Sequence, residues 1–100
     1  QLLDKGVWRR FDDIIQFELP DQKLRARLYE KKLSVIPVDP GVEFDILADN
    51  SKGFSGADIE QVAIRAMKKA LLSKKKRVSK EDIEEAILRQ KEIVSVQEKV

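Results

Sequence analysis

Histidine and cysteine are both absent from the 100 residues, which removes thiol nucleophiles, disulfides, imidazole bases and the usual zinc ligands together. A hydrolytic site complete within this chain is therefore not expected. Long apolar runs are missing as well: the longest spans three residues, as in Ile46-Leu47-Ala48, far short of a membrane span or the core of a secretion signal. No membrane insertion is expected, and the lack of cysteine is compatible with a cytoplasmic, intracellular location. Charge of one sign is scarce too. Twenty Lys and Arg face 18 Asp and Glu for a net +2, so bulk electrostatics gives little reason to expect nucleic acid as a partner.

What is present suits one helix-rich domain. Hydrophobic residues make up 42% and charged residues 38%, too apolar for a disordered chain, although a core of this size only marginally outweighs chain entropy. Residues 1–20 differ from the rest. Ile15, Phe17 and Leu19 alternate with Gln16 and Glu18 as in a β-strand, and Pro20 ends the extended run. The sequence opens on Gln1, and no partner for that strand is legible in the helical remainder, so the expectation is an excised piece of a larger domain.

Helical order is expected from about residue 21 to residue 92. Asp21 can cap a helix from Gln22 to Leu33 with Leu24, Leu28 and Tyr29 on its buried stripe. Pro37 and Pro40-Gly41 break the chain before a short helix from Glu43 to Ser51 that carries Phe44, Leu47 and Ala48, and Gly53 is placed as a left-handed terminator. Ile59, Val62, Ala63, Ala66, Met67, Ala70 and Leu71 then recur at steps of three and four. Ser55 is the natural N-cap of that third helix, with Asp58 at its third position and Phe54 and Ile59 placed as a hydrophobic staple. The device repeats at Val78-Ser79-Lys80-Glu81-Asp82-Ile83, followed by Ala86 and Ile87 on the inner face. The fold class is all-α, four helices preceded by one strand.

Three stretches admit both a structural and a chemical reading. Arg9 and Arg10 can be solvated charges at the mouth of a strand, yet an Arg fork suits phosphate, and phosphoryl transfer recruits such a group from outside the nucleotide's own domain. GFSGAD, residues 53–58, is explained by a helix stop and a helix start, but Gly and Ala at that start leave backbone N–H groups open to a flat ring or an anion. Lys68, Lys69, Lys74, Lys75, Lys76 and Arg77 could meet phosphates, whereas a helix end favours cations and no aromatic side chains interleave for stacking.

The order of these segments is more specific than any one of them. Leu3-Asp4, Arg9-Arg10-Phe11-Asp12, the strand IIQFELPD, a helix, GFSGADI and VSKEDIEEAI together resemble the C-terminal part of an AAA module of the AAA+ ATPases over residues 2–95. The uninterrupted WRRFD and KEIVS at residues 91–95 are similar to the katanin, spastin and ESCRT-disassembly branch, or to archaeal relatives. The resemblance implies that residues 1–20 end the large α/β subdomain, 21–93 form the helical lid and 94–100 are a tail. It implies that Arg9 and Arg10 are arginine fingers reaching ATP on a neighbouring subunit, and that Gly56, Ala57 and Asp58 lie at the sensor-two position beside the nucleotide of their own subunit. Lys32 stands where many relatives carry a histidine facing the adenosine.

On that basis the full-length protein is expected to be an ATP hydrolase working as a homo-oligomeric ring, a hexamer, that unfolds or disassembles protein substrates. ATP is the ligand, and Mg2+ is expected on the large subdomain. The phosphate loop, the magnesium-binding acidic pair and the sensor-one residue of the family have no counterpart in these residues, so the chain alone is expected to be inactive. The rival is a histone-fold-like DNA-binding or dimerisation module, for which VSKEDIEEAI is a suitable final element. Pro37, Pro40 and Gly41 argue against the long central helix it needs.

Overall fold

The computed structural model describes the backbone of residues 19–99 and the side chains of residues 19–95. Apart from Leu19, the expected strand lies outside the described residues. Four helices follow: α1 (Gln22–Lys32), α2 (Phe44–Asn50), α3 (Gly56–Leu72) and α4 (Lys80–Lys99). No strand occurs among the described residues, and the all-α class is as the sequence indicates.

Local chemistry sets most helix ends. Asp21 Oδ1 accepts the Leu24 N–H at 2.9 Å and starts α1. Ser55 and Asp58 form a reciprocal capping box at α3, and Ser79 and Asp82 repeat it at α4, with Ser79 N–H to Asp82 Oδ2 at 3.1 Å and Asp82 N–H to Ser79 Oγ at 3.2 Å. Both staples are in place, since Phe54, Ile59, Val78 and Ile83 are all buried. Gly53 has φ +88° two residues past the cap of α2, in the left-handed region where an L side chain would be strained. The end of α3 uses the same region without a glycine. Lys74 has φ 58°; its N–H donates to Leu71 O at 3.0 Å and the Lys75 N–H to Ala70 O at 2.9 Å, the paired bonds of a Schellman motif.

The core gathers Tyr29 and Leu33 from the first helix and its cap, Leu47 from α2, Ile59, Val62, Ala63, Ala66 and Ala70 from α3, and Val78, Ile83, Ala86 and Ile87 from the start of α4. α3 lies at the centre, packed on both α1 and α4, while α2 packs on α1. The two longer loops also meet. Val38 and Val78 form an isolated parallel bridge, with Val78 N–H to Pro37 O and Asp39 N–H to Val78 O each 2.9 Å. Pro37 and Pro40 thus end α1's territory in favour of an extended segment that pairs with the α3–α4 connection.

Three expectations need correction. Leu24 is not on the buried stripe of α1 but 47% exposed; the packed face runs through Arg25, Ala26, Tyr29 and Leu33, and a residue next to it in sequence is turned away by about 100°. Leu71 is 61% exposed for the same reason, lying one step past Ala70, the last buried residue of α3. The final helix also continues to Lys99 rather than fading near residue 92, because nothing between Lys91 and Lys99 is a glycine or proline.

Candidate functional site

Arg9 and Arg10 lie outside the described residues. Of the remaining candidates, Gly56, Ala57 and Asp58 form the first turn of α3. Gly56 is half-buried and Ala57 exposed, and among the described residues neither backbone N–H donates to a protein acceptor. A Cβ built on Gly56 would meet only Leu28 Cδ1, at 4.0 Å, so a methyl group there is compatible with the fold. Lys32, at the end of α1, pairs with the following turn: its Nζ lies 3.8 Å from Glu60 Oε1. Lys32 thus faces α3 one turn beyond Gly56, while the N–H groups of Gly56 and Ala57 belong to the unpaired first turn at the positive end of a 17-residue helix.

Asp58 does something different. Oδ2 accepts the Ser55 N–H at 2.9 Å and the Ser55 hydroxyl at 3.0 Å, and Oδ1 accepts from Gln90 Nε2 at 2.9 Å. Its carboxylate is thus committed to the capping box and to α4. Gln90 is itself buried, and its Oε1 accepts from Arg65 Nη1 at 3.2 Å. Chemically, the turn offers an anion or a ring two N–H groups without a protein acceptor, with Asp58 holding it in shape.

Sequence reasoning missed Gln90 and Arg25. Gln90 continues the buried series of Ile83, Ala86 and Ile87 at steps of three and four, and a polar side chain on such a stripe is the signal that could have found it. Arg25 is 7% exposed; its Nε donates to Ala48 O and its Nη1 to Pro20 O, each at 2.9 Å. It therefore ties Pro20, just ahead of the α1 cap, to the last turn of α2, where carbonyls lack helical partners.

Two further groups are electrostatically distinctive. Burial pushes the Tyr29 phenol up to about 12, with Ser51 and the Arg25 guanidinium opposing and Asp58 adding to the rise; its hydroxyl has no aligned hydrogen-bond partner. Burial opposes ionisation of Asp82, but the Ser79 N–H, the Lys75 ammonium and the Ser79 hydroxyl outweigh it and hold the carboxyl below its ordinary value. Lys75 Nζ lies 3.1 Å from Asp82 Oδ1, and Lys69 pairs with Glu85. Part of the basic tract is therefore neutralised within the fold, which weakens the reading of it as a phosphate-binding row. Among the described residues no group of three or more His, Cys, Asp or Glu could hold a metal ion.

Comparison with known proteins bears on the same segment. Residues 41–85 match the family model described as the AAA+ lid domain. The chain is 38% identical over 88 residues to a protein named as a 26S proteasome regulatory subunit homolog from Methanothermobacter marburgensis, covering 87% of the chain and 24% of that protein. It is 34% identical to the proteasome-activating nucleotidase of Saccharolobus solfataricus, covering 86% of the chain and 22% of the relative. It is 35% identical to the ATP-dependent zinc metalloprotease FtsH 3 of Symbiobacterium thermophilum, covering 86% of the chain and 14% of the relative. The chain thus spans no more than about a quarter of the length of these relatives. They carry the broader assignment without selecting the katanin and spastin branch, and they do not favour a histone-like module.

Proposed function

Residues 41–85 belong to the AAA+ lid domain family, and from that premise we propose that this chain is the nucleotide-covering part of an ATP-hydrolysing ring protein. In this reading residues 1–20 end the large subdomain, residues 21–93 are the lid and residues 94–100 a tail. The observation that carries it is the family match across the segment containing Gly56, Ala57 and Asp58. The open N–H groups of Gly56 and Ala57 face the nucleotide of their own subunit, Lys32 stands at the edge of that contact, and Asp58 keeps the turn in register.

Arg9 and Arg10 act on the neighbouring subunit. A guanidinium aimed at the γ-phosphate stabilises charge that develops as the phosphoryl group leaves, and such fingers contribute about 10³–10⁵ in turnover. In this reading Mg2+ is held by the large subdomain. The names of the relatives, proteasome-activating nucleotidase and ATP-dependent zinc metalloprotease, support a protein substrate, and a hexameric homo-oligomer is the working form that the family resemblance implies. The chain by itself would not turn over ATP. A cytoplasmic location fits this reading, and no described helix is long and apolar enough to cross a membrane.

The test is Arg9→Ala in the full-length protein. ATP turnover should fall at least about 10³-fold with nucleotide affinity retained, measured by phosphate release and by binding of a fluorescent ADP analogue. Turnover at the parental rate refutes the finger assignment.

A further inference from the structure

The two capping boxes are built from the same residues, Ser and Asp three apart, yet their second carboxylate oxygens are satisfied differently. Asp82 takes Lys75 from the adjoining loop, with Nζ 3.1 Å from Oδ1 and 3.2 Å from Oδ2. Asp58 takes Gln90 from another helix, 32 residues away. The Gln90 amide has one orientation that serves both neighbours: Nε2 donates to Asp58 Oδ1 while Oε1 accepts from Arg65 Nη1. Reversing it would set its oxygen against a carboxylate and its NH2 against a guanidinium. A cation, a polarised amide and an anion thus stand in series across the α3–α4 interface, and charge at each end strengthens both bonds.

Gln90 is also the last buried side chain of α4 among the described residues; Lys91, Glu92 and Ser95 are exposed and Ile93 and Val94 half-buried. α4 then runs on to Lys99. The relay therefore sits at the end of the fully packed part of α4 among the described residues.

We infer that Gln90 is a positioning residue through which α4 fixes the Ser55–Asp58 turn, and with it the presentation of Gly56 and Ala57. The inference rests on the nucleotide-facing reading of that turn. Without Gln90, Asp58 keeps its bonds to Ser55 through Oδ2 but loses the one at Oδ1, so the carboxylate is anchored on one side only and the turn loosens. The twin box at Ser79 and Asp82, held by Lys75, does not depend on α4's position relative to α3 in this way and serves as the internal control.

Amide hydrogen exchange on the 100-residue chain tests the relay. Gln90→Met should speed exchange at the Ser55 and Asp58 amides about tenfold while the Ser79 and Asp82 amides keep parental rates. Gln90→Glu should loosen the same turn by placing two carboxylates together. Combining Gln90→Glu with Asp58→Asn restores a donor and an acceptor in exchanged positions and should return exchange toward the parental rate, a rescue that a space-filling role would not give. Equal acceleration at both boxes, or a double variant no better protected than Gln90→Glu alone, overturns the inference. In the full-length protein Gln90→Met should also weaken ADP binding several-fold, with the double variant recovering it. Faster exchange and rescue in the chain with unchanged ADP affinity would leave the relay standing and refute the nucleotide-facing reading of Gly56 and Ala57.

Discussion

Replacing Arg25 by methionine should cost about 2 kcal/mol of folding stability, and the figure follows from what the guanidinium touches. It is 7% exposed and makes two hydrogen bonds of 2.9 Å, to Ala48 O and Pro20 O. A hydrogen bond from a charged donor contributes about 1.5–3 kcal/mol, so the pair is worth roughly 3–6 kcal/mol before compensation. Two effects reduce the loss. Ala48 O keeps the Ser51 N–H and hydroxyl, both at 3.3 Å, and Pro20 is half-buried, where water can replace the lost donor. The methionine also relieves the burial of a charge that has no carboxylate partner among the described ion pairs. Urea denaturation followed by far-UV circular dichroism measures the net effect, and a thermal melt should show a fall in Tm on the order of 10 °C for a domain of this size. Arg25→Lys keeps the charge without the fork and should recover only part of the loss. A methionine variant as stable as the parent would mean that desolvation of the guanidinium cancels its bonds, and the clamp between Pro20 and α2 would be refuted.

Other outcomes follow from single observations. Lys74→Gly should raise stability by about 1 kcal/mol, because φ 58° strains an L side chain and not glycine; Lys74→Ala should not. Thermal melts of the two variants decide it, and equal Tm values would contradict the strain argument. Tyr29→Phe should be at least as stable as the parent at pH 7, since the hydroxyl is buried and unpartnered. With the folded phenol pushed up to about 12 from 10.0, its contribution is complete below pH 10 and fades as the pH rises towards 12. The parent should thus lose about 2 kcal/mol more than Tyr29→Phe across that window, read from their urea denaturation curves, and parallel profiles would refute the assignment.

The elements that were legible in advance are those whose determinants lie within a few residues. Ser55 with Asp58 and Ser79 with Asp82 are three apart, and the residues that staple them, Phe54 with Ile59 and Val78 with Ile83, flank them, so caps and helix starts could be read directly. The left-handed turn at Gly53 was readable because the residue type announces it. Lys74 adopts a similar conformation without the residue that signals it, and was not foreseen. On α1, Leu24, Leu28 and Tyr29 made a plausible stripe; that the packed face instead includes Arg25 depends on the carbonyls of Ala48 and Pro20, one of them 23 residues away. The candidate site divides in the same manner. Gly56 and Ala57 could be named from their neighbours, whereas the partner of Asp58 lies on a helix whose register against α3 is fixed only by packing.

The bridge between Val38 and Val78 closes a loop that contains the whole of α2 and α3. Tension applied between Pro20 and the far end of α4 travels along the chain only as far as that clasp and crosses it. The enclosed stretch is shielded for as long as the two hydrogen bonds between Pro37, Asp39 and Val78 hold. Load carried along the backbone therefore bypasses the helix that begins at Gly56, which feels it only through its packing on α1 and α4.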